Sequence, residues 1–187
     1  MRECFDRHGC DKGIRHGYER VYEPAFKDIR QEPIRILEIG IFRGASLAAW
    51  LDYFPNAAIV GIDTFQRISP HNIPILNHPR VAWHQHNSTT PVDLGQFDIV
   101  IDDGLHTHKA QRKTFECLMP YADRYYIEDV WALDHMTPEQ KQHKWLKRGG
   151  YSEQEYGKLL TVLKPYTTEF HDQRAGHQPD SFIISAT

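Results

Sequence analysis

Short runs of β-branched and aromatic residues recur along this chain and alternate with stretches of helical pattern. The five strongest runs predict strands at residues 34–39, 58–63, 97–102, 124–128 and 181–185, and weaker runs lie at 81–83 and 167–170. Helical patterns occupy residues 46–53, 109–119, 138–147 and 152–163. Strands that alternate with helices predict an α/β protein with a mostly parallel sheet covered on both faces. No helix separates the last two strands, so we expect the seven-stranded sheet to end with an antiparallel strand.

Length and charge narrow the class of protein. The 187 residues suit one compact domain, and a formal net charge of −3 argues against a nucleic-acid binder with a broad basic face. No run of 18 apolar residues predicts a membrane span, and residues 1–10 lack the apolar core of a signal peptide. The three cysteines have no metal-binding spacing. We therefore expect one domain over 1–187 in a cytoplasmic protein, bound to neither nucleic acid nor membrane.

A glycine-rich turn follows the first predicted strand. Gly40 and Gly44 let the backbone turn sharply and approach a ligand, and free N–H groups near Ser46 suit a carboxylate. The spacing differs from the dinucleotide-binding pattern, so it favours a nucleoside that carries an amino acid. Asp63 ends the next strand, where a carboxylate can accept hydrogen bonds from ribose hydroxyls. The alternative is a tight turn beside a surface aspartate.

Acidic pairs follow two further strands, Asp102 and Asp103 after one and Glu128 and Asp129 after the other. These strands should be neighbours, so their carboxylates converge and repel unless a cation lies between them. Oxygen ligands favour magnesium, with manganese as a substitute. His106 lies close enough to Asp103 in sequence to act as a base. The alternative is a helix cap and a solvated loop.

The N-terminal segment 11–22 places Lys12, His16 and Tyr18 where their polar groups can cover a bound cofactor. The alternative is a first helix that merely packs with a polar face outward. His108 opens a predicted helix, and we expect it to face solvent.

These motifs together resemble a known enzyme family. The sequences LEIGI at 37–41, Gly44 with Ser46, and GID at 61–63 resemble class I S-adenosylmethionine-dependent methyltransferases. The resemblance narrows to the metal-dependent sugar O-methyltransferases of macrolide biosynthesis, the mycinamicin and tylosin type. The narrowing depends on the motifs DKG at 11–13, HGY at 16–18, YE at 22–23, IDDGLH at 101–106 and YIED at 126–129.

The resemblance implies a single Rossmann-like, doubly wound domain that binds S-adenosylmethionine and Mg²⁺. Glu38 and Gly40 would hold the methionine end of the cofactor, Asp63 its ribose, and Asn87 and Ser88 would border the adenine. The remaining cofactor-site assignments are Lys12, Tyr18, Gly44, Ser46 and Asp102. Asp103, Glu128 and Asp129 would bind the metal, and His106 would be the general base. Residues 1–30 would cover the cofactor.

The expected reaction is methylation of a sugar hydroxyl, in a deoxysugar such as rhamnose within a glycan or glycoside. Leu105 departs from the small polar residue usual in the family and predicts a more apolar pocket floor. Helices within 131–165 should supply the acceptor side, and a homo-oligomer stays open. Rival interpretations are a catechol or phenolic-diol O-methyltransferase, and a module that binds S-adenosylmethionine or a glycan without turnover. The glycine spacing disfavours a nicotinamide-dependent oxidoreductase.

Overall fold

The computed structural model describes all residues from 1 to 187 and contains seven strands and six α-helices. The strands are β1 (Arg35–Ile39), β2 (Ala58–Asp63), β3 (Val81–Gln85), β4 (Phe97–Asp102), β5 (Ala122–Ile127), β6 (Thr168–Asp172) and β7 (Phe182–Ala186). The helices are α1 (Arg2–Arg7), α2 (Asp11–Ile14), α3 (Glu19–Phe26), α4 (Ala45–Tyr53), α5 (His108–Leu118) and α6 (Glu153–Leu163). No helix is both long and apolar enough to cross a membrane.

All seven strands form one sheet in the order β3-β2-β1-β4-β5-β7-β6. The first five strands are parallel, and β7 runs antiparallel to both β5 and β6. The predicted fold class is therefore confirmed. The strand order reverses at β1, which pairs with β2 on one side and β4 on the other. In such sheets the ligand binds outside the carboxyl ends of the strands at this switch point.

Two apolar layers cover the faces of the sheet because side chains alternate along each strand. Ile36 of β1 faces a layer built mainly from the N-terminal helices and α4, around Trp50. The neighbouring Leu37 faces the opposite layer, which includes Phe115 of α5 and Leu159 of α6. The first layer fixes helices α1 to α3 against the sheet and so places the N-terminal segment at the edge where the strands end.

The predicted glycine turn connects β1 to α4, and both of its glycines have positive φ angles. Gly40 has a φ of 91°, and a Cβ there would lie 2.1 Å from the carbonyl oxygen of Asp103. Gly44 has a φ of 77° at the N-cap of α4, where a Cβ would lie 2.4 Å from Ile75. Gly40 therefore lets the loop after β4 pack directly on the turn, whereas Gly44 serves packing against the segment after β2.

Two sequence-based expectations are wrong. Residues 138–147 form no α-helix but two short 3₁₀ turns, Gln140–Gln142 and Lys144–Lys147. This segment offers only Trp145 and Leu146 as large apolar side chains, too few for an apolar helix face that packing could stabilise. His108 is fully buried rather than solvent-facing, and its Nε2 lies 2.8 Å from the carbonyl oxygen of Trp131.

Candidate active site

A cavity of about 980 Å³ opens at the carboxyl ends of β1, β2, β4 and β5. Its walls come from the N-terminal segment, the glycine turn and the loops after the strands. Most of the residues that the sequence assigned to the site line this one cavity. They are Lys12, Gly40, Ser46, Asp63, Asn87, Ser88, Asp103, His106, Glu128 and Asp129.

One member of each acidic pair, Asp103 and Glu128, contacts the ammonium group of Lys12. Its Nζ lies 2.6 Å from Oδ2 of Asp103, within hydrogen-bonding contact of Glu128, and 3.6 Å from Oε1 of Glu38. Burial alone would lower the pKa of Lys12, but these carboxylates hold it well above its usual value. The sequence placed Lys12 near the cofactor; the structure shows that it is also the counter-ion of the carboxylate cluster.

Two buried tyrosines complete the contacts of the second acidic pair. The hydroxyl of Tyr18 donates to Oδ1 of Asp129 at 2.5 Å, and the hydroxyl of Tyr22 donates to Oε1 of Glu128. Burial raises the pKa of both tyrosines, and the neighbouring carboxylates raise it further, so both remain donors. Gln111 of α5 donates from Nε2 to the carbonyl oxygen of Glu128 at 2.9 Å.

Sequence reasoning gave Tyr22 and Gln111 no role in the site. Tyr22 belongs to a motif of the family resemblance, but its partner Glu128 lies 106 residues away. Gln111 lies one turn into α5 and resembles any polar helix residue. No local pattern indicates either contact.

Glu38 is completely buried, and neither of its carboxylate oxygens has a hydrogen-bond partner. Burial raises the pKa of Glu38 to about 7, although the ammonium of Lys12 opposes this shift. A buried acceptor without a donor carries a free-energy cost that a bound ligand can remove. Glu38 thus suits the cationic amino group of an amino-acid ligand.

Three side chains, which we call the metal group, have the arrangement of a metal site. One ligand atom each from Asp103, His106 and Asp129 lie within 4.8 Å of one another. Nε2 of His106 is 3.9 Å from Oδ1 of Asp103 and 3.8 Å from Oδ2 of Asp129. Asp129 has a φ of 54°, in the left-handed region that non-glycine residues seldom adopt. The two carboxylates supply the oxygen ligands that Mg²⁺ prefers, and the imidazole lies beside them.

Glu128 does not join this group in the structure. Its two carboxylate oxygens are occupied by Lys12 and Tyr22, and its side chain is almost completely buried. Its assignment as a third carboxylate ligand therefore stays a prediction from the resemblance.

His106 lies between the metal-site carboxylates, with its side chain about one-third exposed (33%). Burial lowers its pKa, but Asp129 and Asp103 reverse the effect and leave the pKa above its usual value. Its Nδ1 has no hydrogen-bond partner. His106 lines the cavity, and an imidazole can exchange a proton near neutral pH.

Asp63 fastens the glycine turn to the end of β2. Oδ2 accepts hydrogen bonds from the backbone N–H groups of Ile41 at 2.9 Å and Phe42 at 3.1 Å, and Oδ1 accepts from Phe65 at 2.7 Å. These contacts orient the carboxylate at the cavity wall. Oδ1 retains acceptor capacity, and the assignment of Asp63 to the ribose stays a prediction.

Asn87 and Ser88 lie on the loop after β3, on the side of the cavity away from the carboxylate cluster. Oδ1 of Asn87 accepts from the backbone of Thr89 at 3.1 Å, and Oγ of Ser88 lies 3.1 Å from Oγ1 of Thr114. Their position fits the predicted border of a nucleobase.

Four predicted cofactor residues do not line the cavity, namely the buried Glu38, Asp102, Gly44 and Tyr18. The side chain of Asp102 lies within 3.4 Å of the hydroxyl of Tyr125 on the far face of β4, because side chains alternate along a strand. Gly44 packs against Ile75, and Tyr18 lies behind the cavity wall, where it supports Asp129. The assignments of Asp102, Gly44 and Tyr18 to the cofactor site stay predictions from the resemblance.

Comparison with characterised proteins places the chain near sugar methyltransferases. No protein-family profile matches it. The chain is 36% identical to "8-demethyl-8-(2-methoxy-alpha-L-rhamnosyl)-tetracenomycin-C 3'-O-methyltransferase" of Streptomyces olivaceus, over 67% of this chain and 35% of that protein. It is 32% identical to "Mycinamicin VI 2''-O-methyltransferase" of Micromonospora griseorubida, over 64% of this chain and 33% of that protein. The chain thus spans about a third of the length of the curated relatives that it matches.

Solved structures share the fold. The mycinamycin-pathway methyltransferase MycE, in complex with Mg and SAH, matches with a TM-score of 0.56 and 22% identity over 98% of this chain and 47% of that chain. The SAH-bound Podospora anserina methyltransferase PaMTH1 matches with a TM-score of 0.67 and 15% identity over 98% and 85%. The predicted resemblance is confirmed: the chain has the class I methyltransferase fold, and its sequence is similar to the sugar O-methyltransferases of the mycinamicin type.

Proposed function

We propose that this chain is a magnesium-dependent O-methyltransferase that transfers a methyl group from S-adenosylmethionine to a sugar hydroxyl. The expected acceptor is a deoxysugar such as rhamnose in a glycan or glycoside. Manganese should substitute for magnesium. The relatives named for rhamnosyl and mycinamicin methylation support this proposal at the level of the aligned region.

The observation that carries the proposal is the clustering of Asp103, His106 and Asp129 in the same cavity as the glycine turn. The ligand atoms of these three residues lie within 4.8 Å of one another, and the cavity extends to Asp63 and Asn87. A binding module for a nucleoside needs the turn and Asp63 but has no use for a metal group or a base. The combination therefore favours an enzyme over a binding module.

The residues in and behind the cavity wall have separate tasks in this reaction. Glu38 pairs with the amino group of the methyl donor, and Asp63 binds the ribose hydroxyls. Asp103 and Asp129 hold the divalent cation, with Glu128 as the further ligand that the resemblance assigns. When bound, the cation lowers the pKa of the acceptor hydroxyl and stabilises the negative charge on its oxygen.

His106 acts on the proton of the acceptor hydroxyl. Its imidazole accepts that proton as the hydroxyl oxygen bonds to the methyl carbon and the carbon–sulfur bond breaks. A sugar hydroxyl holds its proton tightly near neutral pH, so a positioned base and a cation are both needed. The carboxylates of Asp103 and Asp129 stabilise the imidazolium that forms.

We assign residues 1–30 to the cover of the methyl donor and residues 131–165 to the acceptor side. The N-terminal segment contributes Lys12 and His16 to the cavity wall, which supports its proposed role in covering the methyl donor. Residues 131–165 should face the acceptor. A cytoplasmic location and a homo-oligomer stay predictions.

An acceptor screen tests the proposal. Purified protein is incubated with S-adenosylmethionine carrying a labelled methyl group, Mg²⁺, and methyl α-L-rhamnoside, other deoxysugar glycosides or catechol. We expect label in a rhamnoside or related glycoside and none in catechol. Transfer to catechol alone would favour the phenolic-diol alternative. S-adenosylmethionine binding without transfer to any acceptor would favour the non-catalytic module.

A further inference from the structure

The ammonium group of Lys12 is a cation built into the carboxylate cluster. No other lysine or arginine of the chain is buried, and the Lys12 side chain is only 2% exposed. It contacts Asp103 and Glu128 directly and lies 3.6 Å from Glu38. Two of its three partners are carboxylates that the family resemblance assigns to the metal.

Asp103 is shared between the ammonium and the metal group. Its Oδ2 lies 2.6 Å from Nζ of Lys12, whereas its Oδ1 faces Nε2 of His106 at 3.9 Å. One oxygen of this carboxylate therefore contacts the ammonium, and the other faces His106. Glu128 contacts Lys12 through one oxygen and accepts a hydrogen bond from Tyr22 with the other, so neither oxygen faces the metal group.

The backbone around Lys12 fixes the ammonium in this position. Lys12 lies in α2, and its carbonyl oxygen accepts a hydrogen bond from the N–H of Tyr18 at 2.8 Å. A Cβ at the next residue, Gly13, would lie 3.2 Å from Phe5 of α1, so α1 and α2 are closely packed. Withdrawal of the ammonium would break this packing and leave Glu128 and Glu38 buried without a cation.

We propose that Lys12 tunes the divalent-metal affinity of the site by competing for Asp103 and Glu128. This inference rests on the proposed function, because it assumes that the site binds a divalent cation. The ammonium neutralises part of the acidic cluster before any metal binds, so the metal-free protein remains folded. The same positive charge repels an incoming divalent cation and holds oxygens that would otherwise bind it. Lys12 thus stabilises the metal-free protein and weakens metal binding enough for the metal to exchange.

Metal titration of a Lys12→Met variant tests this role without donor or acceptor. Methionine keeps most of the side-chain volume and removes the charge. Calorimetric titration with Mn²⁺ should show a dissociation constant lower than wild type by about tenfold or more, since a unit charge within a few ångströms is removed. The metal-free variant should melt at a lower temperature than wild type, and saturating Mn²⁺ should raise its Tm by more than it raises that of wild type.

Lys164→Met is the matched control, because it removes the same charge from an exposed lysine outside the cavity. Its Mn²⁺ affinity and its Tm gain should equal those of wild type. Unchanged or weaker Mn²⁺ binding by Lys12→Met would overturn the inference.

A second pair of variants covers the case in which Lys12→Met does not fold. Glu128→Gln and the double variant Lys12→Met/Glu128→Gln differ only at Lys12, and the double variant buries no unpaired Glu128 charge. The double variant should bind Mn²⁺ more tightly than Glu128→Gln, and equal or weaker binding would overturn the inference. Wild-type Mn²⁺ binding without methyl transfer to any acceptor would count against the proposed function alone. Failure of every variant, wild type included, to bind Mn²⁺ would overturn both.

Discussion

The hydroxyl of Tyr18 donates a 2.5 Å hydrogen bond to Oδ1 of Asp129, a residue 111 positions further along the chain. This contact joins the N-terminal segment to the loop after β5 at the metal group. It also helps to hold Asp129 in its left-handed backbone conformation, since the N–H of Asp129 donates to the same hydroxyl at 3.2 Å.

Tyr18→Phe should lower the free energy of unfolding by about 1.5–3 kcal/mol, because it removes a hydrogen bond to a charged acceptor in a buried position. Urea unfolding of the variant and wild type measures the difference. Tyr121→Phe is the control, since the Tyr121 hydroxyl makes no hydrogen bond to another side chain or to the backbone and its loss should change little. Equal stability of Tyr18→Phe and wild type would show that the contact contributes nothing.

Gly40→Ala should disrupt the site because of the close approach between the turn and the loop after β4. The new Cβ would lie 2.1 Å from the carbonyl oxygen of Asp103, at a φ of 91° that alanine seldom adopts. We expect at least about tenfold weaker S-adenosylhomocysteine binding and a loss of more than about 1 kcal/mol of stability. Gly157 in α6 has open space around the position of a Cβ, so Gly157→Ala should raise the free energy of unfolding by about 0.5–1 kcal/mol. Calorimetric titration and urea unfolding separate the two outcomes.

Asp63→Ala should weaken S-adenosylhomocysteine binding, by about 1.5–3 kcal/mol for each lost charge-assisted hydrogen bond. Asp63→Asn keeps one carbonyl oxygen for the N–H groups of Ile41 and Phe42 and should lose less. Calorimetry on both folded variants gives the order of affinities. An affinity for Asp63→Ala equal to that of wild type would remove Asp63 from the cofactor site.

The buried His108 predicts a loss of stability at mildly acidic pH. Burial lowers its pKa below the usual value of about 6.5, so the unfolded chain binds this proton more readily than the folded protein. The contribution of neutral His108 to the free energy of unfolding is complete above about pH 6.5. It is lost as the pH falls from about 6.5 through the lower pKa of the folded state. Urea unfolding at pH 7.5 and 5.5 should show a smaller decrease for His108→Asn than for wild type. Equal decreases would assign the pH dependence to other groups.

Local patterns predicted most of the fold. Each predicted strand position contains β-branched or aromatic residues, which favour strands, and all seven strands are present. The helix predicted at 138–147 was wrong. Glutamine and lysine favour helices, but burial stabilises a helix only through an apolar face, which this segment lacks.

The site was predictable where residues follow strand ends and unpredictable where contacts are distant. Asp103 and Asp129 could be placed together because adjacent parallel strands end at one edge. The pairing of Lys12 with Asp103 joins residues 91 positions apart and depends on how α2 packs on the sheet. Asp103 lines the cavity and Asp102 does not. This difference depends on the exact residue at which β4 ends.

The most direct test of the account is the metal requirement of methyl transfer. Wild-type protein, Asp129→Asn and His106→Ala are treated with EDTA, and transfer to the best acceptor is measured before and after Mg²⁺ is restored. We predict no transfer by the chelated wild type, full recovery with Mg²⁺, little recovery for Asp129→Asn, and a rate reduced about 10²–10⁴-fold for His106→Ala. S-adenosylhomocysteine binding should persist in every sample. Transfer that survives exhaustive chelation in the wild type would contradict the account.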